Sequence, residues 1–143
     1  MDVAIEMAKT AASLGEVPVG AVIVAADGRI AARAHNRVRT LKDPTAHAEM
    51  LAIREACRAS SSERLVEHSI YVTLEPCAMC ASAISQARLK RLYFAAHDPK
   101  SGAVEHGPRV FAHSQCHFRP EVYGGIGERE AAAILRAFFV ARR

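Results

Sequence analysis

No stretch of this 143-residue sequence reaches about 18 consecutive apolar residues, so no segment reads as a membrane-spanning helix. The opening MDVAIEMAKTAASLG puts acidic residues early and holds no sustained apolar run, so neither secretion nor membrane insertion is expected. Four unevenly placed cysteines are too few for a disulfide framework, which predicts free thiols in a reducing compartment, the cytoplasm. Glycine (8) and proline (6) are sparse, and no internal repeat, low-complexity tract or linker divides the chain. With 50% hydrophobic residues, the length suffices for one buried core and not for two, which predicts a single domain over residues 1–143.

Charge is present in modest excess. A net charge of +4 and a pI near 9.1 permit a polyanionic partner without requiring one. The basic residues gather in three places: Arg37, Arg39 and Lys42; Arg88, Lys90 and Arg91; and Arg142 with Arg143. Each cluster alone reads as a solvated face. Their placement beside the motifs below favours a phosphate-bearing partner.

The pattern of apolar residues alternates between helical and strand periods. Val3, Met7, Ala11 and Leu14 recur at helical spacing before Gly15. VPVGAVIVAADGRIAARAHN reads as two strands around an Asp27-Gly28 turn. A helix is predicted from about Thr45 to about Arg58, then a buried strand SIYVTL and a helix CAMCASAISQA with Pro76 in its first turn. RLYFAA is another buried strand, residues 96 to about 120 form a loop region with short elements, and GEREAAAILRAFFVARR is a terminal helix presenting Ile134, Leu135, Phe138 and Phe139 on or near one face. Strands joined by helical crossovers predict a layered α/β domain, with sites beyond the carboxyl ends of the strands where the next helices begin.

Two motifs share that address. Cys77 and Cys80, three apart at a helix start, can face one metal ion, and the helix N-terminus favours the thiolates a metal needs. Alone, C-x-x-C also suits a redox pair, half of a structural zinc site or, less readily, plain buried thiols. His47 supplies a third ligand. Three protein ligands leave a position for water, which is the arrangement of a catalytic zinc rather than a closed structural one. Glu49, two residues past His47, would then stand beside the metal and move protons. Cys57 and Cys116 have no such partners and read as small apolar residues.

His47-Ala48-Glu49 with Pro76-Cys77-Ala78-Met79-Cys80 carries the H-x-E and P-C-x-x-C signature of the zinc-dependent nucleoside and nucleobase deaminases, an established family signature rather than an inference from spacing. The blocks GEVPVGAVIV, HNR, DPTAHAE, YVTLEPCAMCASAI and DPKSGA make the chain resemble, more narrowly, the bacterial tRNA-specific adenosine deaminases. The similarity runs from about residue 3 to the C-terminus and is densest before Gly102.

The resemblance implies a three-layer α/β/α, cytidine deaminase-like fold with a central mixed sheet of about five strands. It implies one Zn²⁺ per subunit on His47, Cys77 and Cys80, a cytoplasmic homodimer, and a tRNA anticodon stem-loop as partner. The implied reaction converts the wobble adenosine, of an arginine tRNA, to inosine, with a zinc-held hydroxide as nucleophile at C6 and Glu49 as proton shuttle. It further implies that Asn36 hydrogen-bonds a flipped base, that Val19 and Leu74 wall the pocket, and that backbone N–H groups near Ala48 and Cys77 read the base. Asp98 and Lys100 match positions that meet flanking nucleotides, and Phe139, Arg142 and Arg143 match a helix end near the anticodon loop. VEHGPRVFAHSQCHFRPEVYGG departs from the family pattern; its His106, His113 and His117 are spaced for a second metal, although scattered loop histidines are the plainer reading. The alternative reactions are deamination of a free nucleobase or nucleoside, guanine or cytosine, and, in a different class, a silent RNA-binding subunit that keeps zinc for stability.

Overall fold

The computed structural model describes residues 1–143, and its centre is a mixed sheet with strand order β2-β1-β3-β4-β5. Helix α1 (Asp2–Ser13) buries Ala4, Ile5, Ala8 and Ala11, the stripe its apolar period predicts. Strands β1 (Gly20–Val24) and β2 (Ile30–His35) pair antiparallel, as the Asp27-Gly28 turn requires; Gly28 adopts φ +86° and Asp27 Oδ1 accepts the Arg29 N–H at 2.9 Å. β1 also pairs antiparallel with β3 (Ser69–Leu74), whereas β3, β4 (Arg91–Ala96) and β5 (Glu121–Gly124) run parallel.

Helices cover both faces. On one, α3 (Ala48–Ser60) and α4 (Ala78–Gln86) bring Ala52, Ile53, Ala81 and Ile84 onto Ile23, Ile70, Val72, Leu92 and Phe94 in the main core. On the other lie α1 and α5 (Glu128–Val140), where Ala131 packs against Ala95 and Ala96. No helix is long and apolar enough to cross a membrane. α1 sits so close to β1 that a Cβ on Gly20 would lie 2.0 Å from the Ala4 carbonyl oxygen and 2.7 Å from the Ala8 nitrogen, both backbone atoms. Gly20→Ala must therefore lift the helix, and a loss of about 3 kcal/mol is expected; an unchanged urea midpoint would contradict it.

Three expectations shift. The helix expected from Thr45 starts at Ala48, because Asp43 Oδ1 accepts both the N–H (2.8 Å) and the hydroxyl (2.7 Å) of Thr45 and holds 43–47 as a turn. Pro76 precedes the first turn of α4 instead of lying in it, since Cys77 is the N-cap. The terminal helix turns Phe138 inward, but Phe139 is 51% exposed. Two short elements had no clear period: β5, a four-residue edge strand, and α2 (Val38–Leu41), a single turn.

Candidate active site

The carboxyl end of β3 leads through Leu74, Glu75 and Pro76 to Cys77, while the turn after α2 ends at His47. Both His47 (φ −69°, ψ 152°) and Cys77 (φ −71°, ψ 174°) are extended N-cap residues whose side chains do not cap their own helices. They are thereby free to turn toward each other, with two helix N-termini adding positive potential where thiolates gather. His47 Nδ1 lies 3.5 Å from Cys80 Sγ and 3.6 Å from Cys77 Sγ, and the three donors all lie within 4.8 Å of one another. Tetrahedral zinc with ordinary Zn–N and Zn–S bonds holds N and S about 3.5 Å apart. The group fits one zinc ion, with three protein donors and room for a fourth ligand.

The extended cap also explains the two-residue offset. On a helix His47 and Glu49 would point nearly opposite ways, but His47 precedes the helix and Glu49 is its second residue, so both line one cavity of about 340 Å³. Glu49 is 4% exposed, and burial pushes its carboxyl up to about 7. The cysteines titrate as a pair. The hydrogen bond from Cys80 draws Cys77 down to about 4, and the same bond, together with burial, pushes the Cys80 thiol up. Hydrogen bonding to Cys77 raises the His47 imidazole above its usual value.

The same cavity takes in Val19, Asn36, Ala48 and Leu74, and Asp98 at its rim. Asn36 is 8% exposed, and its Oδ1 is a buried polar atom without a hydrogen-bond partner. Cys80 sits fully buried behind the wall. Lys100 is exposed just past the rim, where the Asp98 side chain is partly occupied: its Oδ1 accepts the N–H groups of Lys100 (3.1 Å) and Ser101 (3.0 Å). Phe139, Arg142 and Arg143 lie outside the cavity at the end of α5, with the Arg142 guanidinium 3.5 Å from the Phe138 ring centroid and its Nη1 donating to the Phe138 carbonyl.

Of the basic clusters, only the first borders the cavity, through Arg39. The second lies at the opposite end of β4, where Lys90 pairs with Glu67 (2.6 Å), Arg91 with Glu121 (2.7 Å), and Arg88 rests over Phe118. The loop histidines do not converge on a metal: His106 is tied to Glu75 and His113 to the Pro108 carbonyl. Cys57 and Cys116 pack half-buried against the core.

Two buried carboxylates in the wall were not anticipated, although a charge beside a buried strand always demands partners. Glu16 accepts the N–H groups of Arg39 (3.2 Å) and Thr40 (2.7 Å) and the Thr40 hydroxyl (2.9 Å), which anchors α2. Glu75 accepts four backbone N–H groups and the His106 ring. Burial opposes its ionisation, yet those bonds outweigh it and hold the carboxyl below the usual range.

Residues 1–96 match the cytidine and deoxycytidylate deaminase zinc-binding region. The tRNA-specific adenosine deaminase of Agrobacterium fabrum is 54% identical over 143 residues, covering 100% of this chain and 93% of that protein. That of Bacillus subtilis is 45% identical over 139 residues, covering 97% and 86%. A solved structure from a study of A-to-I editing by tRNA:A34 deaminases at the wobble position superposes with a TM-score of 0.92 at 55% identity, covering 94% of this chain and 97% of that one. The guanine deaminase of Bacillus subtilis, 43% identical, reaches only 0.64 and covers 67% and 61%. The zinc-ligand geometry, the mixed sheet and these likenesses agree: the chain belongs to the tRNA-specific adenosine deaminases, within the cytidine and deoxycytidylate deaminase zinc-binding family.

Proposed function

We propose that this chain deaminates the wobble adenosine of a tRNA anticodon, in an arginine tRNA, to inosine, acting as a cytoplasmic homodimer with one zinc per subunit. What supports the reading is the His47, Cys77 and Cys80 donor group opening, beside the buried Glu49, onto one cavity of about 340 Å³ whose wall includes Asn36, which is assigned to hydrogen-bond the base. The cavity lies near the small end of ligand sites, large enough for one base and too small for its neighbours, so flanking nucleotides stay at the rim.

His47, Cys77 and Cys80 hold the metal, which when bound supplies a Lewis acid that brings the ionisation of water close to neutral pH. Val19 and Leu74 close on the ring, and the first-turn N–H groups near Ala48 and Cys77 face it. Glu49 takes a proton from water and delivers it to N1 as oxygen adds at C6; it then carries the second proton to the exocyclic nitrogen, and ammonia leaves. Water and adenosine are consumed, inosine and ammonia are formed, and Glu49 is restored. Asp98, Lys100, Phe139, Arg142 and Arg143 are assigned to the flanking nucleotides and the stem.

Zinc-loaded protein is incubated with an arginine-tRNA anticodon stem-loop bearing wobble adenosine, and separately with guanine, cytosine and adenosine. Inosine in the stem-loop alone is expected, with binding that weakens steeply as salt rises, because phosphate contacts release counterions. Ammonia from guanine with an untouched stem-loop would replace this reading by the free-base reaction, for which the weaker and more partial likeness to a guanine deaminase is the one support.

A further inference from the structure

Glu75 is the most heavily hydrogen-bonded carboxylate in the protein and plays no part in the chemistry described above. Its Oε1 accepts three consecutive backbone N–H groups, from Val104 (3.3 Å), Glu105 (2.8 Å) and His106 (3.0 Å), the arrangement of an anion-binding nest. Its Oε2 accepts the Asp98 N–H at 2.9 Å and faces His106 Nδ1 at 2.8 Å. The segment it gathers, 97–106, leaves β4 without a helical crossover and carries Asp98 and Ser101 to the cavity rim. Gly102 gives way for the carboxylate: a Cβ there would stand 2.6 Å from Glu75 Cδ. Glu75 belongs to the segment leading from β3 to Cys77, so one side chain ties the rim to the strand that presents a metal ligand.

We propose that Glu75 is a positioning residue for substrate recognition: it fixes the 98–106 rim, through the Asp98 backbone above all, against the nucleotides flanking the target base. The inference rests on the wobble-adenosine reading. It explains why a carboxylate stands here, because every neighbour within reach of its oxygens is an N–H group. A glutamine could keep its oxygen on the three-donor nest, but its NH₂ would oppose the Asp98 N–H. His106 can adapt by changing tautomer, whereas Asp98 cannot. Glu75→Gln thus loosens the rim at one point and spares the rest.

Glu75→Gln is compared with wild type, both zinc-loaded, on the wobble-adenosine stem-loop, with amide hydrogen exchange followed across 97–106. The expected result is a KM raised about tenfold, a kcat within about twofold, one zinc per chain, and exchange accelerated at Asp98 before Val104 to His106. A fall in kcat at unchanged KM, or loss of zinc, would make Glu75 a support of the Cys77 end and overturn the inference, as would unaltered exchange. If Glu75→Gln does not fold, His106→Ala removes the one side-chain donor and should raise KM alone by about two- to threefold; no change in KM would refute the role. Should wild type leave the stem-loop untouched, the tRNA reading fails and takes the flanking-nucleotide role with it, while exchange at Asp98 separately shows whether Glu75 fixes the rim.

Discussion

Glu49→Ala loses between about a hundredfold and ten-thousandfold in kcat, the range a positioned proton-transfer group contributes, and keeps both its fold and one zinc per chain. The zinc holds because the His47, Cys77 and Cys80 donors group without Glu49. The fold holds because the Glu49 carboxyl, at 4% exposure, has no salt bridge to lose, and removing a buried ionisable group relieves desolvation. The melting temperature should stay level or rise, as is common where a buried polar group serves function at the expense of stability. Glu49→Gln separates the possible roles. It keeps the shape and hydrogen-bonding reach but cannot carry a proton, so it should be nearly as inactive as alanine. Turnover restored by glutamine would reduce Glu49 to a hydrogen-bonding group, and loss of zinc from either variant would make it a ligand.

What could be read from the sequence and what could not divide along one physical line. His47, Glu49, Cys77 and Cys80 were legible because H-x-E and P-C-x-x-C are contiguous stretches that carry a family signature, although helical spacing alone would have set His47 and Glu49 on opposite sides. The antiparallel hairpin was legible through Asp27-Gly28, and Ser69–Leu74 and Arg91–Ala96 through their largely apolar, β-branched and aromatic composition. Glu75 was not, because its partners lie 23 to 31 residues away and nothing local marks them. Glu16 reaches 23 and 24 residues on to Arg39 and Thr40, and α2, which it holds, is too short to show a period. β5 escaped because four residues on a sheet edge, alternately exposed and half-buried, need neither an apolar run nor a strong period. Phe138 and Phe139, adjacent in sequence, could not be told apart by helical period alone: Phe138 fills the inward position and its neighbour faces solvent. Local chemistry thus survives in the sequence, while the shells that orient it are written by the fold.

Those shells matter least where ligands are removed outright. Cys80→Ser is expected to abolish turnover and to lower bound zinc from one per chain to near none. Cys80 is fully buried behind the cavity wall, so no exposed residue can move in to replace it, and a hydroxyl is a far harder donor than a thiolate. His47 and Cys77 would remain as two donors, too few for a stable site. A metal that binds only the folded protein stabilises it by about 4 kcal/mol at a thousandfold excess over its Kd. For a chain of this size the loss corresponds to a fall of roughly 12 °C in Tm. Wild type stripped with a chelator should fall by the same amount and recover on adding zinc, whereas Cys80→Ser should not respond to either treatment. Glu49→Ala should follow wild type through the whole cycle while remaining inactive. That pairing separates the two halves of the site: one variant loses metal and stability together, the other loses only the proton carrier. A Cys80→Ser protein that kept a full complement of zinc would require a ligand set other than His47, Cys77 and Cys80.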